Sequence, residues 1–280
     1  MSGFSADWLA LRESADRRAR NPELLARLKA RFAGQSEIEV VDLGCGTGSN
    51  LRALAPHLPS RQAWTLVDHD PALLAAARER LSAWADGAAE GELLRLAKDG
   101  AEVAVRFVEA DLAGGVGALL AGRPSLVTAA ALFDLVSPAW IEGFARAAAA
   151  AGAVFYTALS YDGTERWTPP HPAAPAMLAA FVAHQGRDKG FGPAAGPRAT
   201  ELLAQAFRGH GYTVLTAASP WRLDSEDAAL MQALAQGTAA AVRETGTVPE
   251  ETIRDWLDAR LSATACEIGH ADLLAIPPRS

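Results

Sequence analysis

The amino-acid sequence predicts an α/β fold, a mostly parallel sheet with helices on both faces. Three observations predict it. Short β-branched runs alternate with helical stretches five times between residues 37 and 160. A glycine-rich turn, Gly44-Cys45-Gly46-Thr47-Gly48, stands where the first such run gives way to a helix. The chain has 280 residues, which at roughly 100–200 residues per domain makes a single domain, 1–280, with additions.

Each element has its own warrant. Trp8, Leu9, Leu11, Leu24, Leu25 and Leu28 recur at helical spacing, and Asn21-Pro22-Glu23 divides them into helices over 6–19 and 22–33. The run 37–43 is a strand, followed by the glycine turn and a helix through Leu51, Leu54 and Leu58. The next strand, 63–67, ends at Asp68. Asp70 caps the helix that Pro71 opens and that runs to about 85. Residues 87–91 read as a soft linker. Strands follow over 103–109, 126–132 and 153–160, with a short helix after Gly114-Gly115-Val116-Gly117 and a longer one over 139–151. The segment 162–197 is rich in Pro, Gly and His and holds one helix near 173–184. Such a long irregular stretch predicts a functional cap. A helix over 198–209, a sixth strand at 212–216, helices over 225–244 and 249–262, and a seventh strand at 271–276 complete the reading. The additions are thus an N-terminal helical lid (1–34), a cap insertion (162–197) and a helical insertion before the last strand (225–262).

Composition bounds the function. Lys plus Arg number 26 against 33 Asp plus Glu, a formal charge of −7. An acidic surface repels phosphate backbones, so nucleic acid is not expected as a partner. The two cysteines, Cys45 and Cys266, make no disulfide framework or metal-type spacing, which points to a reducing compartment and a cytoplasmic location. Residues 1–20 carry no signal-type apolar core, and the longest apolar stretch, 147–159, is shorter than the roughly 20 residues of a membrane span. No membrane and no metal are expected, and the chain is expected as a monomer or homodimer.

The chemistry lies in Val40-Val41-Asp42-Leu43-Gly44-Cys45-Gly46-Thr47-Gly48-Ser49-Asn50-Leu51. Glycines between a strand and a helix let a ligand approach the backbone closely. A dinucleotide fingerprint needs a glycine at position 49, where Ser49 stands. An acid at 42 suits a cationic amino group better than a pyrophosphate. Read locally, Asp42 is a strand-end acid, Cys45 a small filler, Asp111 a helix cap, and His69 either stacks on a ligand or faces solvent.

This stretch resembles motif I of the class I S-adenosylmethionine-dependent methyltransferases, and the resemblance extends along residues 38–160. Leu66-Val67-Asp68-His69-Asp70 is similar to the family's ribose-binding motif. Val108-Glu109-Ala110-Asp111-Leu112 is similar to its adenine-binding motif. Ala129-Ala130-Ala131-Leu132-Phe133-Asp134-Leu135 stands where the family's fourth strand reaches the reaction centre. The resemblance implies a seven-stranded sheet with an antiparallel last strand and S-adenosyl-L-methionine as cofactor. It implies a cofactor-binding set of Asp42, Gly44, Cys45, Gly46, Gly48, Asn50, Asp68, His69, Ala110, Asp111, Leu112 and Leu132.

No Asn-Pro-Pro-Tyr-like sequence follows the fourth strand, which argues against methylation of amides or adenine. A small or medium organic methyl acceptor is the expectation. The alternatives are non-methyl transfer chemistry on the same cofactor and a non-catalytic, cofactor-binding partner subunit. Catalytic candidates are Asp134, Tyr161 and His184, the last because an imidazole titrates near neutral pH. Arg12 could clamp a carboxylate, but Arg12-Glu13 and Asp16-Arg17 read more naturally as a solvated charged face.

Overall fold

A computed structural model describes residues 4–278; the first three residues of the expected lid lie outside that range. One sheet runs through the molecule. Its strands are β1 (Glu37–Leu43), β2 (Arg61–Asp68), β3 (Gly87–Ala89), β4 (Leu94–Lys98), β5 (Ala101–Glu109), β6 (Leu126–Ala130), β7 (Val154–Thr168), β8 (Thr213–Ala218), β9 (Trp221–Leu223) and β10 (Ala265–Ile276). The order is β3-β4-β5-β2-β1-β6-β7-β10-β8, with β9 beside β10. The five central strands β5, β2, β1, β6 and β7 are parallel. β10, the last strand, is antiparallel to all three strands it pairs with, β7, β8 and β9, as expected.

The sheet has ten strands among the described residues, not seven. Two of the three extra strands form an edge. Asp99 and Gly100 both have positive φ (49° and 80°) between the paired residues Lys98 and Ala101. This two-residue turn joins β4 to β5 as a hairpin, and Asp-Gly is a strong hairpin signal. The expected linker at 87–91 contains β3, which pairs with β4. β9 is the third addition.

β7 also runs past the expected end at 160 into the expected cap, through Thr168. There it pairs with the early part of β10, Glu165 lying opposite Ile268 and Trp167 opposite Cys266. The polar alternation of 162–168 conceals this strand, because only every second side chain meets apolar neighbours.

The helices are α1 (Ala6–Ala19), α2 (Pro22–Arg31), α3 (Ser49–Leu54), α4 (Pro71–Trp84), α5 (Gly117–Leu120), α6 (Pro138–Ala151), α7 (Ala174–Gln185), α8 (Ala199–Gly209), α9 (Ala228–Thr245) and α10 (Glu250–Leu261). Asn21 caps α2 by accepting from the Glu23 and Leu24 amides, and Asp70 caps α4 by accepting from Ala72. Residues of α5, α6 and α8 pack on one face of the sheet, where Phe133, Phe144, Phe155 and Phe207 form an aromatic block with ring centroids as close as 4.8 Å. Residues of α2, α3 and α4 pack on the other. The expected cap and the later helical insertion meet: Met177 of α7, Met231 and Ala235 of α9, and Ile253 and Trp256 of α10 share one buried cluster with Trp167 and Cys266. These three helices thus cover the ribbon made by the long ends of β7 and β10. Among the described residues no helix is long and apolar enough to cross a membrane.

Candidate active site

β1 lies between β2 and β6, and the chain steps outward to β2 and β5 on one side, then to β6 and β7 on the other. The crevice beyond the carboxyl ends of such strands is where open parallel sheets bind ligands. The glycine turn leaves β1 at this crevice. Gly44, Gly46 and Gly48 have φ of 63°, 51° and 75°, a region that strains any residue with a Cβ. The turn is held down by its neighbour: the Cys45 amide donates to the Val67 carbonyl at 2.9 Å, and the Gly46 amide donates to Oδ2 of Asp68 at 2.8 Å. α1 lies across it, so that a Cβ on Gly46 would stand 2.9 Å from Cδ1 of Leu9. A Cβ on Gly44 would meet Cδ1 of Leu132 at 3.3 Å. Cys45 is buried, and burial pushes its thiol far above the usual range.

Asp42 is fully buried. Its Oδ1 accepts from Nδ2 of Asn50 at 2.7 Å, and the same amide donates to Oγ1 of Thr128 at 3.1 Å. Oδ2 of Asp42 and Oδ1 of Asn50 have no partner within the protein. Burial raises the Asp42 pKa to about 7, against the opposing pull of Asn50 and of the Arg20 guanidinium; nearby Asp68 adds to the rise.

Asp68, at the end of β2, also accepts from the Asp70 amide at 3.1 Å through Oδ1. His69 is half exposed, its Nδ1 3.4 Å from that oxygen, so its ring stands beside the carboxylate and not in the core. The Ala110 amide donates to the Asp68 carbonyl, which fixes the end of β5 against β2. Asp111 is exposed and caps the turn after β5, accepting from the Ala113 amide at 2.9 Å through Oδ1, while Leu112 beside it is buried. The cap and the position beside the crevice coexist, because one carboxylate has two oxygens.

After β6, Ala131 takes a φ of 52°. Oδ1 of Asp134 is buried without a partner, and burial raises its pKa to about 6, with Arg12 pulling the other way. Tyr161, in β7, donates its hydroxyl to Oε1 of Glu165 at 3.2 Å. Burial first, then the charges of Glu165, Asp162 and Asp134, keep it a neutral phenol. Asp134 and Tyr161 therefore share one neighbourhood. The structure does not bring His184 to them: its Nε2 meets Oε2 of Glu244 at 2.9 Å and, with Arg187, fastens α7 to α9.

The structure adds Trp221 and His270, which the sequence reading passed over, and gathers them around Arg12. Arg12 is only 9% exposed. It grips Asp16 through Nε at 2.9 Å and Nη2 at 3.1 Å, with its guanidinium 4.9 Å from the Trp221 ring centroid. Nε1 of Trp221 donates to Oδ1 of Asp16 at 3.0 Å, and Trp221 packs on His270, which faces Tyr161. Burial and the Arg12 charge lower the His270 pKa to about 4. The expected solvated face of α1 is therefore corrected. Arg12 and Asp16 point inward, Glu13 takes both hydrogen bonds of a fork from Arg52 at 2.8 and 2.7 Å, and Arg17 remains exposed. The Arg12–Asp16 spacing of four residues was a readable sign of a pair, but not of its burial. Nothing local marked Trp221 or His270. Among the described residues no group of His, Cys, Asp or Glu side chains could hold a metal ion.

Residues 41–121 match a family described as a methyltransferase domain, a span that takes in the first three strand-end motifs. No curated protein matches the chain. Among solved structures, a cyclopropane-fatty-acyl-phospholipid synthase-like protein from Lactobacillus casei is 16% identical, with 98% of this chain and 95% of that one covered at a TM-score of 0.52. The YcgJ protein from Bacillus subtilis is 13% identical, with 93% and 100% covered at 0.50. At these identities the two likenesses speak for the fold alone. A SAM-dependent methyltransferase from Thiobacillus denitrificans in complex with S-adenosyl-L-homocysteine is 17% identical, with 98% and 99% covered, but its TM-score of 0.46 carries no argument.

Proposed function

We propose that the chain is a class I S-adenosylmethionine-dependent methyltransferase and that it acts on a small or medium-sized organic acceptor, by direct methyl transfer, in the cytoplasm. The observation that carries the reading is that Asp42, Asp68, Asp111 and Asp134 stand at the carboxyl ends of four adjacent parallel strands, beside a glycine turn that α1 covers.

The residues present fit S-adenosylmethionine, the cofactor of the activity. Oδ2 of Asp42 and Oδ1 of Asn50 are buried acceptors without donors, a costly state that a cationic amino group relieves. Each Asp68 oxygen accepts one backbone amide and keeps a lone pair, so the carboxylate can take the two hydroxyls of a ribose. Oδ2 of Asp111 remains for an exocyclic amine beside apolar Leu112. The glycines let the adenosine edge approach the backbone, with Ala110, Leu132, Cys45 and His69 as walls. When bound, the cofactor supplies a methyl group already activated by its sulfonium.

The chain's work is then alignment. Asp134, with its unpartnered oxygen and a pKa near neutral, is placed to accept a proton from the acceptor. Tyr161, neutral and tied to Glu165, orients it. Arg12, Trp221 and His270 form an ordered wall on the far side, with His270 uncharged at neutral pH. The lid (1–34), the cap (162–197) and the helical insertion (225–262) favour an acceptor small enough to be enclosed, and the charge of −7 disfavours a polyanion.

The test is transfer from methyl-labelled S-adenosylmethionine to a metabolite panel and to fractionated cell extract. The expected product is a small molecule heavier by one methyl. Label recovered only in protein or nucleic acid would overturn the small-acceptor reading.

A further inference from the structure

One face of the sheet is bare at the end away from the crevice. The β5–β6 connection passes on that side, and its helix, α5, has only four residues. Glu37 and Glu39 of β1, Arg61 and Ala63 of β2, Glu102 of β5, and Arg95 and Ala97 of β4 are all exposed there. With Gly87, Ala89 and Ala104 they line a groove of about 980 Å³.

The strand register gives this face an ordered charge pattern. In one row across β1, β2, β5 and β4 stand Glu39, Ala63, Ala104 and Arg95. The adjoining row carries Glu37, Arg61, Glu102 and Ala97. The first row is negative at one end, positive at the other and small in the middle. In the second, Arg61 and Glu102 stand side by side about its centre.

We propose that this face is the interface of a homodimer, with the two copies related by a two-fold axis that runs parallel to the strands between Ala63 and Ala104. Rotation about that axis exchanges β2 with β5 and β1 with β4. Glu39 of one copy then faces Arg95 of the other, and Arg61 faces Glu102, each pair occurring twice. Ala63 meets Ala104, and side chains that small let two sheets approach to about the 10 Å of packed sheets. A closed two-fold is the commonest arrangement of identical chains, and it requires such self-complementarity. Opposite charges desolvated between facing sheets set register and partner choice. The inference is independent of the methyl acceptor, because the face lies at the amino ends of the parallel strands.

The experiment is sedimentation or light scattering of the full chain over a concentration series at low salt, for the native protein, Glu39→Arg, Arg95→Glu and the double variant. The native chain is expected to dimerise. Each single reversal puts like charges opposite at two places and is expected to weaken the dimer by about tenfold or more, and the double variant to restore it. Cofactor binding, measured alongside, is expected to stay unchanged and to report intact folding. A monomer at every concentration, or a dimer indifferent to both reversals, would overturn the proposal.

Discussion

Oδ2 of Asp68 accepts the amide of Gly46 at 2.8 Å, joining the end of β2 to the middle of the glycine turn. One carboxylate thus shapes the turn and, in the proposed function, also takes the ribose hydroxyls.

Asp68→Ala is expected to weaken S-adenosylhomocysteine binding by about 2–3 kcal/mol, the scale of hydrogen bonds to a charged group. Asp68→Asn should lose less, because its carbonyl can still accept from Gly46. Isothermal titration of the two variants checks the order; equal losses would deny that the contact with Gly46 matters to binding.

Cofactor affinity is expected to rise with pH up to about 7 and then level. The ionised form of Asp42 attracts a cation, and bound cofactor would draw its pKa down. For folding the sign is opposite. A carboxyl raised from 3.8 to about 7 by burial favours the folded state when protonated, so it costs stability progressively as pH climbs through that window. Above it the cost reaches about 4 kcal/mol as an upper bound. Asp42→Asn should flatten the affinity profile and stabilise the cofactor-free protein at pH above about 7 and not below about 4. Urea denaturation at the two extremes reads this.

Methyl transfer should lose activity below pH about 6, where Asp134 takes up its proton. Asp134→Asn is expected to lower kcat by about 10²–10⁴ while leaving cofactor affinity in place, and to abolish that acidic limb. A pH–rate profile with the limb intact in the variant would assign the titration to another group.

Gly269 sits where β10 passes β7, and a Cβ there would overlap Oγ1 of Thr164 and Oδ1 of Asp162. Gly269→Ala is expected to cost about 1–3 kcal/mol, as overpacking does, and to loosen the ribbon under α7, α9 and α10. Hydrogen exchange should show lost protection confined to 161–168 and 265–270. Unchanged protection would mean that the ribbon absorbs the added methyl.

The parallel centre of the sheet and its motifs were legible because each strand is an apolar run ending in a turn, so position follows from local pattern. The cofactor-side acids are named by that same order. The edge hairpin was legible in principle at Asp99-Gly100, but 87–98 holds no β-branched or aromatic residue to mark it as strand. The ends of β7 and β10 escaped because each acquires its pairing from the other, about a hundred residues away. Trp221 and His270 escaped for the same reason: their role comes from Arg12, which belongs to the opposite end of the chain. The apolar faces of α7, α9 and α10 meet the ribbon as well as one another, and an apolar helix face gives no sign of what lies beneath it.

α1 is fastened on two sides. Glu13 holds Arg52 and the Ala6 carbonyl accepts from Arg80 at the glycine turn, while Nη2 of Arg18 donates to both carboxylate oxygens of Asp227 at the start of α9. A stiff helix pinned this way cannot lift from one anchor without pulling on the other. On the proposed function, spent cofactor and methylated product are expected to leave through one shared opening whose frequency sets the turnover rate. Arg18→Ala, which frees the α9 side alone, is then expected to speed the release of both, and stopped-flow traces of the two departures should accelerate together.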